Sequence, residues 1–198
     1  MNMKRLMCLM IVPALMACAP EGGLDSSGRG DPAPLVYAPE GTQISLSNTV
    51  NGTVSESQIT AGRATGAKGA LIRADGTQGG FYPGCWNCGG EMQIEEALYA
   101  ALWPLETGKI ASFLRTAPDG NKARVVIRVA GREQIETAAG SFDTYLMEGQ
   151  VQHLTGPQYD AKVRAWWAPD PGWVVKAQGS DSTGANLASE VVALSGRP

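Results

Sequence analysis

Cys85 and Cys88, in "GCWNCGG" (84–90), are two thiols three positions apart, a spacing that serves three kinds of chemistry. They can be a dithiol redox couple, half of a metal site, or a short disulfide that staples a loop. A structural zinc site takes about four ligands and a catalytic one about three plus water. With one CxxC pair and a single histidine, His153, the only set on offer is Cys85, Cys88, His153 and a carboxylate, with no second CxxC to complete it. His153 is also the only imidazole for serine or cysteine catalysis, and no GxSxG elbow supplies a nucleophile for it. Glu95 and Glu96 cannot face one pocket as an acid/base couple, because adjacent helical positions diverge by about 100°. They read as a solvated face.

The compartment decides among the cysteine readings. The chain opens "MNMKRLMCLMIVPALMACAPEGG", with Lys4 and Arg5, an apolar run from Leu6 to Ala17, and then Cys18. Spanning a bilayer takes about 20 apolar residues, so this run is too short and has the anatomy of a removable signal. "LMAC" (15–18) resembles the lipobox of bacterial lipoproteins. The resemblance implies cleavage before Cys18 and acylation there with palmitate-type chains. Each buried methylene adds about 0.8 kcal/mol of membrane affinity, so two or three chains anchor firmly. Ala19 stands where an Asp would favour the inner membrane, which by the same resemblance implies the outer membrane, facing the periplasm. Loss of Cys8 with the signal then leaves only Cys85 and Cys88 as thiols in an oxidising compartment. The reading is a local disulfide staple. The alternative is a thiol-disulfide module, favoured by a helix start soon after Cys88. It lacks the βαβ context of thioredoxin-like sites, and Gly89, Gly90 and the nearby glutamates oppose it.

Three segments follow: a signal peptide at 1–17, a lipidated flexible tether at 18–34, and a single β-rich periplasmic domain at 35–198. The tether sequence "APEGGLDSSGRGDPAP" is small, polar and rich in Gly and Pro. The remainder is long enough for one domain with its own core. The 198-residue chain carries a formal charge of −3, and losing Lys4 and Arg5 makes the mature chain more acidic. No basic stripe suggests a nucleic-acid partner.

Alternation dominates the domain. In "KARVVIRVA" Ala123, Val125, Ile127 and Val129 share one face and Arg124 and Arg128 the other, as in a half-buried strand. Turn signals separate such runs at Asn51-Gly52, Asp75-Gly76, "PDGN" (118–121) and "PDPG" (169–172). The spacing predicts a mostly β fold, a single antiparallel curved sheet or open β-barrel. One short helix is expected at about 91–103, with Ile94, Ala97, Leu98, Ala101 and Leu102 on its apolar face and Pro104 ending it. The segment at 186–194 fits a helix or a last strand almost equally, and strand is the reading taken.

"VAGREQIETAAGSFDTYLMEG" (129–149), "AWWAPDPGWVVKAQ" (165–178) and "LWPLETG" (102–108) resemble a group of uncharacterised β-rich periplasmic proteins with an AGTFDT turn and a WYAPDVGxVK hairpin. Ser141 and Trp167 are the departures. The group is similar at a distance to the open β-barrels of Lol-type lipoprotein carriers, which implies a curved sheet with a concave apolar face and no activity. Turn chemistry accounts for Gly131 and Gly140 at turns, with Phe142 dropping into the core.

In "VRAWWAP" the alternation places Trp167 on the core face with Trp173 of the next strand, and Trp166 with Arg164 on the opposite, exposed face. Trp166 and Arg164 are therefore the candidate ligand contacts. The sequence reads as a membrane-anchored, non-enzymatic binding or envelope-assembly module taking an apolar ligand or an envelope protein, with no cofactor and no metal. A hydrolase using His153 is the remoter alternative.

Overall fold

The alternating runs pair through their hairpin turns into one open sheet. The computed structural model describes residues 32–157 and 159–196. The expected signal peptide, the expected acylation site Cys18 and the expected tether as far as residue 31 lie outside the described residues.

The strands are β1 (Gln43–Val50), β2 (Thr53–Thr65), β3 (Lys68–Arg73), β4 (Gln78–Phe81), β5 (Gln93–Ile94), β6 (Ile110–Thr116), β7 (Lys122–Thr137), β8 (Gly140–His153), β9 (Asp160–Ala168), β10 (Trp173–Asp181) and β11 (Asn186–Ser195). The pairings described are antiparallel, in the order β4-β3-β2-β1-β11-β10-β9-β8-β7-β6-β5. Each of the four sequence-predicted turns joins a hairpin: β1–β2, β3–β4, β6–β7 and β9–β10. The segment at 186–194 is a strand, β11, and it lies between β1 and β10. Gly140 takes the β7–β8 turn, whereas Gly131 sits inside β7 at a register shift rather than in a turn.

Two apolar cores hold the sheet. In the first, Phe113, Val125, Ile127, Met147 and Trp167 pack against Tyr99, Leu102 and Leu105. In the second, Ile44, Ile59 and Val191 meet Leu146, Trp166 and Trp173. The amino-terminal segment joins the first: Ala33 is buried and exchanges backbone hydrogen bonds with Leu105, and Tyr37 packs edge-on against Trp167.

The helix is shorter than its periodicity suggested. Only α1 (Glu96–Ala100) is helical, because Gln93 and Ile94 are paired with Thr116 and Arg115 as β5. Glu95 then pins the chain to β6, its Oε2 accepting from Leu114 N at 2.7 Å. Glu96 Oε1 likewise accepts from Ala67 N at 2.6 Å, so both glutamates bind neighbouring backbone instead of forming a merely solvated face. The expected apolar face forms only in part: Leu102 is buried and Ile94 packs against the first core, but Ala97, Leu98 and Ala101 are exposed, and the buried residue within α1 is Tyr99.

Candidate functional site

The sheet's open topology decides where Cys85 and Cys88 go. β4 and β5 are consecutive in sequence yet lie at opposite edges of the sheet. Their connection, residues 82–92, must therefore cross the sheet's face as a strap. Two glycines let it lie close. A Cβ on Gly149 of β8 would come 2.5 Å from the Gly84 carbonyl oxygen, and one on Gly179 of β10 would fall inside the Trp86 ring. Bare backbone at these two positions seats the strap.

Within the strap, Cys85 and Cys88 sit at disulfide distance, with Cα atoms 5.6 Å apart. Cys88 is buried in the first core. Asn87 between them takes φ of 52°, a left-handed conformation that Asn tolerates. Among the described residues no group of three or more His, Cys, Asp or Glu is placed to hold a metal ion, so His153 does not join the two sulfurs in a site.

Beside the strap lies a cleft of ≈ 520 Å³. Its walls are Phe81 at the end of β4, the strap from Tyr82 to Asn87, and the sheet face carrying Val50, Val163, Ala165, Val174, Ala177 and Leu187, with Asn48, Ser55, Gln178 and Ser189 as polar members. Apolar side chains dominate, and the volume falls in the range of about 300–1,000 Å³ typical of small-molecule sites.

The strap is held from its other side by Arg115. Arg115, Ala123 and His153 form one row across β6, β7 and β8, and the small Ala123 lets the outer two meet. Arg115 Nη1 donates to the carbonyl oxygens of Trp86 (2.9 Å) and Asn87 (3.2 Å), and Nη2 lies 3.1 Å from His153 Nε2. A guanidinium only donates, so Nε2 accepts and the ring proton sits on Nδ1. Burial, then the Arg115 charge, pushes the His153 pKa below the ordinary imidazole value, against a pull upward from Asp160. The ring also stacks on Tyr159, with centroids 3.9 Å apart.

His153 shares a second small pocket with Asp160 and Ser182. These are the residue types of a hydrolytic triad, but Ser182 Oγ accepts from Asp160 N at 3.1 Å while His153 Nε2 faces Arg115. No Ser–His relay is formed there.

The exposed aromatic surface expected at Trp166 is not present. Trp166 is 5% exposed, and Trp167 is fully buried, each in a different core. Trp166 Nε1 donates to Glu133 Oε1, and Leu146 faces it from β8. Arg164 lies over its ring at 5.0 Å and Lys176 at 5.8 Å. Alternation correctly put the two tryptophans on opposite faces, but both faces are covered here. Trp173 also changes sides: it pairs with Ala168, which places it with Trp166 in the second core and not with Trp167. Sequence reasoning missed the cleft walls, Arg115 and Ser182. The row Arg115–Ala123–His153 had a partial signal in the strand alternation, but its register depends on the turns.

No protein-family model matches the chain, and neither does any curated protein. The chain is similar to several solved structures, three of which follow. One is the hypothetical lipoprotein YmcC from Escherichia coli K12, at 13% identity over 81% of this chain and 86% of that one, with a TM-score of 0.48. Another is a Bacteroides fragilis protein assigned as exported, with a YmcC-like fold, at 12% identity over 83% and 100% (TM-score 0.49). The third is a Parabacteroides distasonis protein assigned to the lipoproteins, at 13% identity over 84% and 100% (TM-score 0.45).

Proposed function

We propose that this protein is a lipid-anchored module of the bacterial envelope that binds an apolar ligand of the acyl-chain class in the cleft beneath its strap, without catalysis. The observation that carries the reading is the cleft itself. It is a ≈ 520 Å³ space walled by Val50, Val163, Val174, Leu187 and the strap. An acyl chain entering such a space would leave water at about 25 cal/mol for each Å² of apolar surface buried. Asn48 and Ser189, which are hydrogen-bonded to each other at 2.9 Å, form a polar part of the wall. The anchor rests on the basic residues, apolar run and Cys18 of the amino terminus.

The reading is tested by native mass spectrometry and by displacement of a fluorescent fatty acid from detergent-extracted protein. Ala177 is a half-buried cleft residue, and Ala177→Trp fills the space from the sheet side. Saturable binding by the wild type and its loss in a folded Ala177→Trp protein are expected. Equal binding by both proteins counts against the cleft.

A further inference from the structure

Arg115 is the only charged side chain among the described residues that is buried, at 4% exposure. Its acceptors are the Trp86 and Asn87 carbonyls and the His153 ring, all neutral. Among the described residues no carboxylate forms an ion pair with it. A buried charge without an opposite charge is costly, and neutral acceptors offset that only in part. The side chain lines a pocket of ≈ 200 Å³ shared with Lys122, His153, Asn87 and Asn121. The one carboxylate in that lining, Asp119, is turned to its own hairpin: Oδ1 accepts from Asn121 N at 3.0 Å and Oδ2 from Asn121 Nδ2 at 2.7 Å.

We propose that this pocket is an anion site, which takes a carboxylate or phosphate group against the Arg115 guanidinium with Lys122 at its rim. The guanidinium fork matches the paired oxygens of such a group, while Lys122 acts as a point charge. The site lies on the Asn87 side of the strap, and its failure leaves the apolar cleft unaffected, because the two are tested with different ligands and different variants.

The chain's single histidine makes the test direct, since His153 supplies the only imidazole signals in a proton NMR spectrum. Detergent-extracted full chain is titrated with inorganic phosphate, acetate and dihexanoylphosphatidic acid. Saturable movement of the His153 resonance is expected, with its titration midpoint raised because a nearby anion favours the imidazolium. Lys122→Ala, an exposed change, is expected to weaken binding severalfold, and Arg115→Lys about tenfold, since the ammonium keeps the charge but loses the fork. Phosphate or acetate binding alone identifies a free anion, and response to the phosphatidic acid alone identifies a lipid headgroup; both support the site. A His153 resonance that moves with none of the three, or that moves equally in both variants and the wild type, overturns it.

Discussion

The Trp86 indole lies over the bare backbone of Gly179, in the space that any side chain on Gly179 would occupy. This contact joins the strap to the central strand β10 and sets one wall of the cleft. Gly179→Ala must push the ring away or bend the strand. A loss of about 1–3 kcal/mol in chemical denaturation is expected, as for overpacking elsewhere. In the Trp86→Ala background the same glycine change is expected to cost much less, because the two residues touch and their effects do not add. Full additivity in this double-mutant cycle would show that the ring does not rest there.

Trp166 and Trp167 stand in different cores, and neither is on a free surface. Trp166→Ala and Trp167→Ala are each expected to cost about 3–5 kcal/mol of stability. Urea denaturation of the two variants checks this. A Trp166→Ala protein as stable as wild type would restore the exposed aromatic face that the alternation suggested.

Cys85 and Cys88 close a loop so short that the chain-entropy effect of their bond is at most about 2 kcal/mol. The Cys85→Ser/Cys88→Ser protein is therefore expected to stay folded with a loss no larger than that. Protein taken from the periplasm should resist alkylation until it is reduced. Thiols that alkylate at once would contradict the staple.

His153 has a folded-state pKa below its ordinary value of 6.5, through burial and then the Arg115 charge. The unfolded chain therefore binds the proton more readily than the folded one. This contribution to stability is complete above 6.5 and declines as pH falls from there toward the folded value. Denaturation of wild type and His153→Gln across this range is expected to show a steeper acid loss in the wild type. Parallel curves would mean that the imidazole is not linked to folding.

Cys18 is the expected acylation site. Cys18→Ser is expected to abolish acylation, seen by intact mass, and to free the protein from membrane pellets after a high-salt wash. Retention as firm as wild type would remove the lipid anchor from the account.

The strands at 122–130, 161–167 and 173–178, the four hairpin turns and the mostly β class were legible from the sequence. Period-two alternation and Asn-Gly or Asp-Gly turns are local properties, set within a few residues by backbone sterics and side-chain polarity. The sidedness of Trp166 and Trp167 was legible for the same reason, since neighbouring strand residues point to opposite faces. Whether each face is covered was not, because Trp166 is buried by Leu146 and Glu133, which belong to strands distant in sequence. The helix failed in a related way: its apolar spacing is real, but pairing of Gln93 and Ile94 with β6 took its first turn. The course of "GCWNCGG" across the sheet was decided by tertiary structure alone. Its spacing allows a staple in any fold, but only the sheet order, with β4 and β5 at opposite edges, makes that segment cross the face. The same crossing sets Trp86 on Gly179 and brings the Trp86 and Asn87 carbonyls to Arg115. These contacts join residues tens of positions apart in the chain, and their geometry follows from the order of strands in the open sheet rather than from any local preference.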